Sequence, residues 1–297
     1  MSQDVATSST VVGAPAVRSA LDAGARLLRS ARGNAPFIAL AAIVIVAVAW
    51  PLFAPYSPYD THAGPALQAP SWAHPFGTDQ AGRDVLSRVL AGARISFTVG
   101  IASAAVAAAL GGLLGTVAAM APTWLGETIM RGLDVMLAFP AILLAVVLAA
   151  AVGSGMLTTI IVLSVVYLPA LARFVRALVL GELGEDYVLS ARVLGTRKIR
   201  LVGYHVGANI AIPVLVYAAT ITAEAIILEA ALSYIGVGIQ PPTPSWGNLI
   251  NDGKALLYSS QWWISGFAGL AVLVSALTLN STANALNRRL DAGVERT

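Results

Sequence analysis

GELGEDYVLSARVLGTRKIRLVGYHVGAN, from Gly181 to Asn209, decides how the rest of the chain is read. It is a polar interruption between apolar runs long enough to be membrane helices. Five basic residues, His205 among them, and three acidic ones fall inside it. Glu185 and Asp186 precede an apolar-periodic run, where carboxylates suit the positive end of a helix macrodipole. Tyr187, Ala191 and Leu194 then share one face at helical spacing, and Gly195 is the expected stop. Arg197, Lys198 and Arg200 follow. A short amphipathic helix held between two spans is a docking surface for a soluble partner. On spacing alone, an ordinary basic loop between spans reads the same way.

The 297 residues are 57% hydrophobic and 11% charged, with a mean hydropathy of +0.77. Soluble domains carry about 25% charged residues, so this composition is that of an integral membrane protein. Cysteine is absent, which excludes disulfides, thiolate nucleophiles and cysteine metal sites. His62, His74 and His205 are too scattered to suggest a ligand cluster. The first 36 residues read as a Ser/Ala-rich basic tail with Arg18, Arg26, Arg29 and Arg32, and an amphipathic piece around Leu21–Leu28. No small-residue cleavage site follows the first apolar run, so that run is expected to be an anchor.

Six spans are expected: Phe37–Phe53, Ser96–Met120, Leu133–Val152, Met156–Arg173, Ala211–Ile235 and Trp262–Leu286. Gly153-Ser154-Gly155 divides the third from the fourth. Gly111, Gly112 and Gly115 are either a close helix–helix seam or the ordinary glycine tolerance of membrane helices. The Pro-rich stretch 54–93 reads as a loop whose end, Arg83–Leu90, lies along the membrane surface, and 236–261 is a second loop. Glu224 and Glu229 are the only acids deep within an apolar run. Intramembrane carboxylates usually face protein or water, so both are candidates for a translocation path; local hydrogen bonding at a subunit contact is the alternative. Five residues apart, they sit about 140° around a helix and are not an obvious pair. Six spans put both ends on one side, and fourteen of the eighteen Lys and Arg residues then fall on the side of Gly181–Asn209. That side is therefore cytoplasmic.

Three separated strings resemble the permease subunits of ABC importers, in the dipeptide, oligopeptide and nickel branch. Asp186-Tyr187-Val188, Ala191-Arg192, Gly195, His205 and Asn209 are similar to that family's coupling ("EAA") loop. HPFGTDQAGRDVLSRVLAGARISFTVG, His74–Gly100, resembles its outer loop and following span. Gln240-Pro241-Pro242-Thr243-Pro244-Ser245-Trp246-Gly247 is the most branch-specific string. Arg131, Asp134, Phe139 and Pro140 match the start of the third-and-fourth-span hairpin, and Glu229 stands where the family also has an acid, before Leu232-Ser233-Tyr234. The resemblance covers Phe76 to Leu290. It departs where the family has Leu-Pro and this chain has Gly207-Ala208.

What the resemblance implies is an all-α type I importer permease with six transmembrane helices and both termini cytoplasmic. The tail would be 1–36, the first helix and external loop 37–93, the permease domain 94–286 with its coupling loop at 181–209, and the C-terminal tail 287–297. Glu185, Asp186, Tyr187, Ala191, Arg192, Gly195 and Arg197 would couple to a separate ATPase. Gly77, Asp79, Arg83, Asp84, Pro241, Pro242 and Trp246 would form the outer loops that receive a solute-binding protein. The implied partners are a homologous second permease, one or two ABC ATPase subunits, an extracytoplasmic solute-binding protein and the bilayer of the cell membrane. The implied cargo is a di- or oligopeptide or a related small solute. ATP and Mg would sit on the partner ATPase and no cofactor on this chain.

The sequence has no Gly-x-x-x-x-Gly-Lys-Ser/Thr phosphate loop, no His-Glu-x-x-His and no Gly-x-Ser-x-Gly. Nor do its basic residues cluster with aromatics as nucleic-acid binding requires. Two other classes are weighed: an ion-coupled transporter relaying protons through Glu224 and Glu229, which lacks the internal repeat usual in such folds, and a membrane enzyme, which lacks any nucleophile–base or metal constellation.

Overall fold

The computed structural model describes residues 34–194, 196–197 and 200–294, with the side chains of Leu189, Arg192 and 290–294 excluded. Residues 1–33 of the expected N-terminal tail, and Gly195, Lys198 and Arg296, lie outside these residues. Among the described residues the structure is all helical, with one isolated bridge, Thr78 to Asp84, in place of any strand.

The chain begins with α1 (Asn34–Val48) and the one-turn α2 (Trp50–Phe53), broken at Ala49 just ahead of Pro51. At 1.5 Å per residue α1 alone reaches only about 22 Å, so the expected first span, Phe37–Phe53, is an interrupted helix. The opposite end of the chain holds it: Thr282 Oγ1 donates to the Pro36 carbonyl (3.1 Å), and the Arg289 guanidinium lies over the Phe37 ring.

Next comes α3 (Val85–Met120), capped by the Asp84 carboxylate, which accepts from the Ser87 N–H at 2.8 Å. The expected surface helix Arg83–Leu90 is instead the first turns of this long helix. Arg88, which suggested a surface position, is buried against the Asp79 carboxylate, so its charge does not end the apolar helix.

The expected span Leu133–Val152 is not one straight helix. It is α4 (Thr123–Leu137) and α5 (Ala141–Val152), bent by 90°. Pro140 supplies no N–H to the preceding turn and disfavours helical backbone at Phe139, so the break falls there. The Gly153–Gly155 break is where expected: both glycines take positive φ, 111° and 130°, which side-chain-bearing residues rarely adopt. Then follow α6 (Met156–Glu182), α7 (Asp186–Val193), a π-helical turn (Leu201–Val206) running into α8 (Gly207–Ile235), α9 (Trp246–Gly253) and α10 (Trp263–Val294). Gly207-Ala208, the departure from the family's Leu-Pro, lies in unbroken helix at the start of α8.

Four stretches are long and apolar enough to cross a membrane: α3, α6, the π turn with α8, and α10 as far as Arg289. The bent pair α4–α5 makes a fifth if it is one span. The centre of the bundle is the α3–α6 contact. A Cβ on Gly111 would stand 2.9 Å from the Leu168 carbonyl oxygen, and one on Gly115 would overlap the carbonyl oxygen of Ala172. Small residues therefore let these backbones touch, as membrane helices require where no hydrophobic effect drives association. Ser103 and Ser164 add cross-helix hydrogen bonds of 3.3 Å to Ile160 and Ser103 carbonyls. Two apolar cores flank the seam. One is formed by α3, α5, α6 and α8 around Leu163, Leu171 and Ile221; the other by α1, α3, α8, α9 and α10 around Phe97, Ile226 and Trp246.

Gly112 has open space where its Cβ would be. Gly115→Ala is accordingly expected to destabilise the bundle by about 1–3 kcal/mol through overpacking, with Gly112→Ala close to neutral. Thermal unfolding of the detergent-solubilised protein checks this, and equal behaviour of the two variants would contradict the seam.

Candidate functional site

The polar interruption folds as a small helix on an apolar floor. Asp186 occupies the first turn of α7, where its charge suits the helix dipole. Val188 is fully buried against Val175 and Val179 at the end of α6 and against Leu201, Val202, Val206 and Ile210. The wider π turn, a form often found at functional sites, brings Leu201, Val202 and Val206 to one side. The inward face of α7 is thus Val188, with Ala191 half-buried. This corrects the expected face of Tyr187, Ala191 and Leu194: Leu194 lies beyond the helix and is 85% exposed, beside Val193 at 88%. The helix closes with the Thr196 N–H donating to the Ala191 carbonyl at 3.1 Å, the six-to-one bond of a capped end. Glu185, Asp186 and Arg197 are exposed, while the Arg192 side chain and Gly195 are outside the described residues.

Three side chains tie this helix to its neighbours. The Tyr187 hydroxyl donates to Glu182 Oε2 at the end of α6. Asn209 Nδ2, from the first turn of α8, donates to the same oxygen (3.1 Å) and to the Tyr187 hydroxyl oxygen (3.0 Å). Desolvation and the adjacent Glu182 carboxylate push the Tyr187 phenol above its ordinary value, so it remains a donor. Beside the triad, Tyr187, Gly203, Tyr204, His205, Ala208 and Asn209 line an open cleft of about 640 Å³. Glu182 was not among the expected site residues; its position four residues before Asp186 was the available signal.

At the other end of the bundle, most of the outer-loop residues singled out above are buried scaffold. The Asp79 carboxylate accepts from the N–H groups of Ala81 (2.8 Å) and Arg83 (3.0 Å), from Arg83 Nε (2.7 Å) and from Arg88. Asp84 accepts from Ser87 and pairs with His74 Nδ1 at 2.9 Å. Gly77 adopts φ 73°, and a Cβ there would stand 2.6 Å from the Gln68 carbonyl oxygen. Trp246 is buried and donates to the Val89 carbonyl at 3.0 Å. Of the seven, Pro241 and Pro242 are exposed and Arg83 is partly so. A cavity of about 240 Å³ opens here beside Asp79, Gln80, Arg83 and Asp252.

The two intramembrane acids have different surroundings. Glu229 is fully buried and accepts from Ser96 Oγ of α3 (2.7 Å) and Ser233 Oγ of α8 (2.8 Å), with the Ser245 hydroxyl within hydrogen-bonding reach. Glu224 is exposed on the surface of the single chain. No group of three or more His, Cys, Asp or Glu residues suited to a metal ion occurs among the described residues.

Residues 111–296 match the family model of the binding-protein-dependent transport system inner membrane component. The chain is 38% identical over 269 residues to the di/tripeptide transport system permease protein of Pseudomonas aeruginosa, covering 89% of this chain and 88% of that one. A Brucella suis chain provisionally named a peptide transport system permease protein is 38% identical over 267 residues, 90% of this chain and 89% of its own length. A second Brucella suis chain, provisionally named a peptide permease, is 33% identical over 271 residues, covering 91% and 90%.

The triad generates a direct expectation. Tyr187→Phe removes one donor and one acceptor from α7, each bond being worth about 0.5–1.5 kcal/mol. Hydrogen exchange of the α7 amides should then quicken by roughly tenfold while exchange in α3 stays unchanged. Unaltered α7 protection would show that the triad does not hold the helix.

Proposed function

Because the chain belongs to the family of binding-protein-dependent transport system inner membrane components, a multi-pass membrane family whose relatives here include peptide permeases, we propose that it forms half of the path of an ATP-driven peptide importer. Its partners are a second permease, one or two ATPase subunits and an external solute-binding protein. ATP and Mg belong to the ATPase.

The observation that carries this reading is the two-sidedness of α7. One side is clamped to the bundle by Val188 and by the Glu182–Tyr187–Asn209 triad; Val193 and, just past the helix, Leu194 are exposed to solvent, as are Asp186 and Arg197. Exposed apolar residues rimmed by charge mark a protein contact, and this contact is assigned to the ATPase. Movement of the ATPase pair would be transmitted through the triad to α6 and α8 together, rocking the two permeases between inward and outward access. Glu185, Ala191, Arg192 and Gly195 complete the coupling segment in this reading.

The α7 end is assigned to the cytoplasm by the fourteen basic residues on that side. Taken together, α1 and α2 form the first of six spans, with both termini cytoplasmic. Pro241, Pro242 and Arg83 meet the binding protein, on the scaffold fixed by Gly77, Asp79, Asp84 and Trp246. The path runs past Glu224, and Glu229 serves it as an internal tie. A proton relay through both acids finds no support, because the hydrogen-bond partners of Glu229 are serines on its own side of α8 and lead away from Glu224.

Asp186→Arg puts a cation at the positive end of α7. Uptake of peptide by cells carrying the complete system is expected to be abolished while the variant still inserts in the membrane. Normal uptake would remove the docking role. Affinity purification from native membranes should also bring down an ATPase and a second permease; recovery of the chain alone would contradict the assembly.

A further inference from the structure

Glu224 differs from Glu229, the other carboxylate within an apolar span: Glu229 is buried, whereas Glu224 is exposed on the surface of the single chain. It projects from α8 with no hydrogen bond and no basic partner among the described residues. An unpaired carboxylate in a membrane span is costly and marks a functional position.

Its neighbours are aromatic. Tyr167 of α6 and Tyr217 of α8 belong to one packed cluster of side chains between these helices. The Tyr217 ring packs at a tilt against Phe174 of α6, with ring centroids 4.4 Å apart. Tyr217 and Glu224 are seven residues apart on one stripe of α8, and Tyr167 and Phe174 are seven apart on α6, so the four side chains converge between two facing helices. Glu224 lies eleven residues before the end of α8 at Ile235, and Tyr167 eleven after the start of α6 at Met156. Both are therefore about 16 Å deep along the helix axis, near the middle of a hydrocarbon layer about 30 Å thick.

We infer that Glu224, Tyr167 and Tyr217 form a binding site for the α-ammonium group of a peptide in transit. A carboxylate gives a charge-assisted hydrogen bond to an ammonium, and the phenol oxygens of Tyr167 and Tyr217 can accept further hydrogen bonds from it. Carbonyl and carboxylate groups bring no donor to Glu224, and a neutral amide N–H brings one without the ammonium's charge. The inference rests on the peptide-import reading and adds the part of the peptide that this chain recognises.

The binding protein selects cargo before the membrane does, so the test omits it. The complete permease–ATPase complex in nanodiscs is probed by saturation-transfer NMR with a free dipeptide and with its N-acetyl derivative. The expected result is a signal from the free dipeptide only, weakened at least about tenfold by Glu224→Gln and largely kept by Glu224→Asp. Uptake in proteoliposomes containing the binding protein should fall in the same order. Equal binding of the two ligands, or a Glu224→Gln complex that binds and imports like the parent, would overturn the site while leaving peptide import standing. A Glu224→Gln complex that falls apart on size exclusion would overturn it in favour of a subunit contact. A parent complex that neither binds nor imports any dipeptide would overturn both readings.

Discussion

A carboxylate removed from water must have its charge and lone pairs satisfied by the protein, and that constraint organises the half of the bundle away from α7. Asp79 collects two backbone N–H groups and two guanidinium groups, one of them the buried Arg88. Asp84 caps α3 and holds His74. Glu229 draws together α3 and α8 through Ser96 and Ser233, and Ser233 also receives the Ile239 N–H at 3.0 Å. These three acids fix where α3 starts, how α8 ends and where the Trp246 helix lies. Glu224, exposed on the single chain, lacks such partners among the described residues.

The opposite end follows a different rule. There α7 is held chiefly by one buried side chain, Val188, and by a triad of three polar groups. An eight-residue helix has too few backbone hydrogen bonds to be stable alone, so its position depends on α6 and α8. A pull on α7 is a pull on both. In the proposed reading, a pull on α7 would reach Glu224 through Asn209 and α8.

Much of this was legible in the sequence. The Gly153–Gly155 turn announced itself because glycine alone takes positive φ cheaply, and the Gly111–Gly115 spacing offered a seam that the α3–α6 contact realises. The polar interruption, its acidic first turn and its flanking spans were equally visible. The 90° bend between α4 and α5 was missed because hydropathy has no direction: an apolar run reads the same straight or folded, and only Phe139-Pro140 carried the signal. The burial of Val188, a residue already marked by the coupling-loop resemblance, was missed because the floor beneath it is built by residues from Val175 to Ile210, and separation in sequence hides such a contact. The outer-loop strings were read as a surface for a binding protein, but most of their residues are buried. Their role is largely internal, since the partners of Arg88 and Glu229 include Asp252 and Ser96, 164 and 133 residues away.

The central claim is that this chain conducts peptides inward when a separate ATPase is docked on α7. The most direct measurement is uptake of a labelled dipeptide into proteoliposomes holding both permeases and the ATPase, with binding protein outside and ATP or a non-hydrolysable analogue inside. The account predicts accumulation with ATP, none with the analogue, and no effect of collapsing the proton gradient. Accumulation that ignores ATP and disappears with the proton gradient would contradict it.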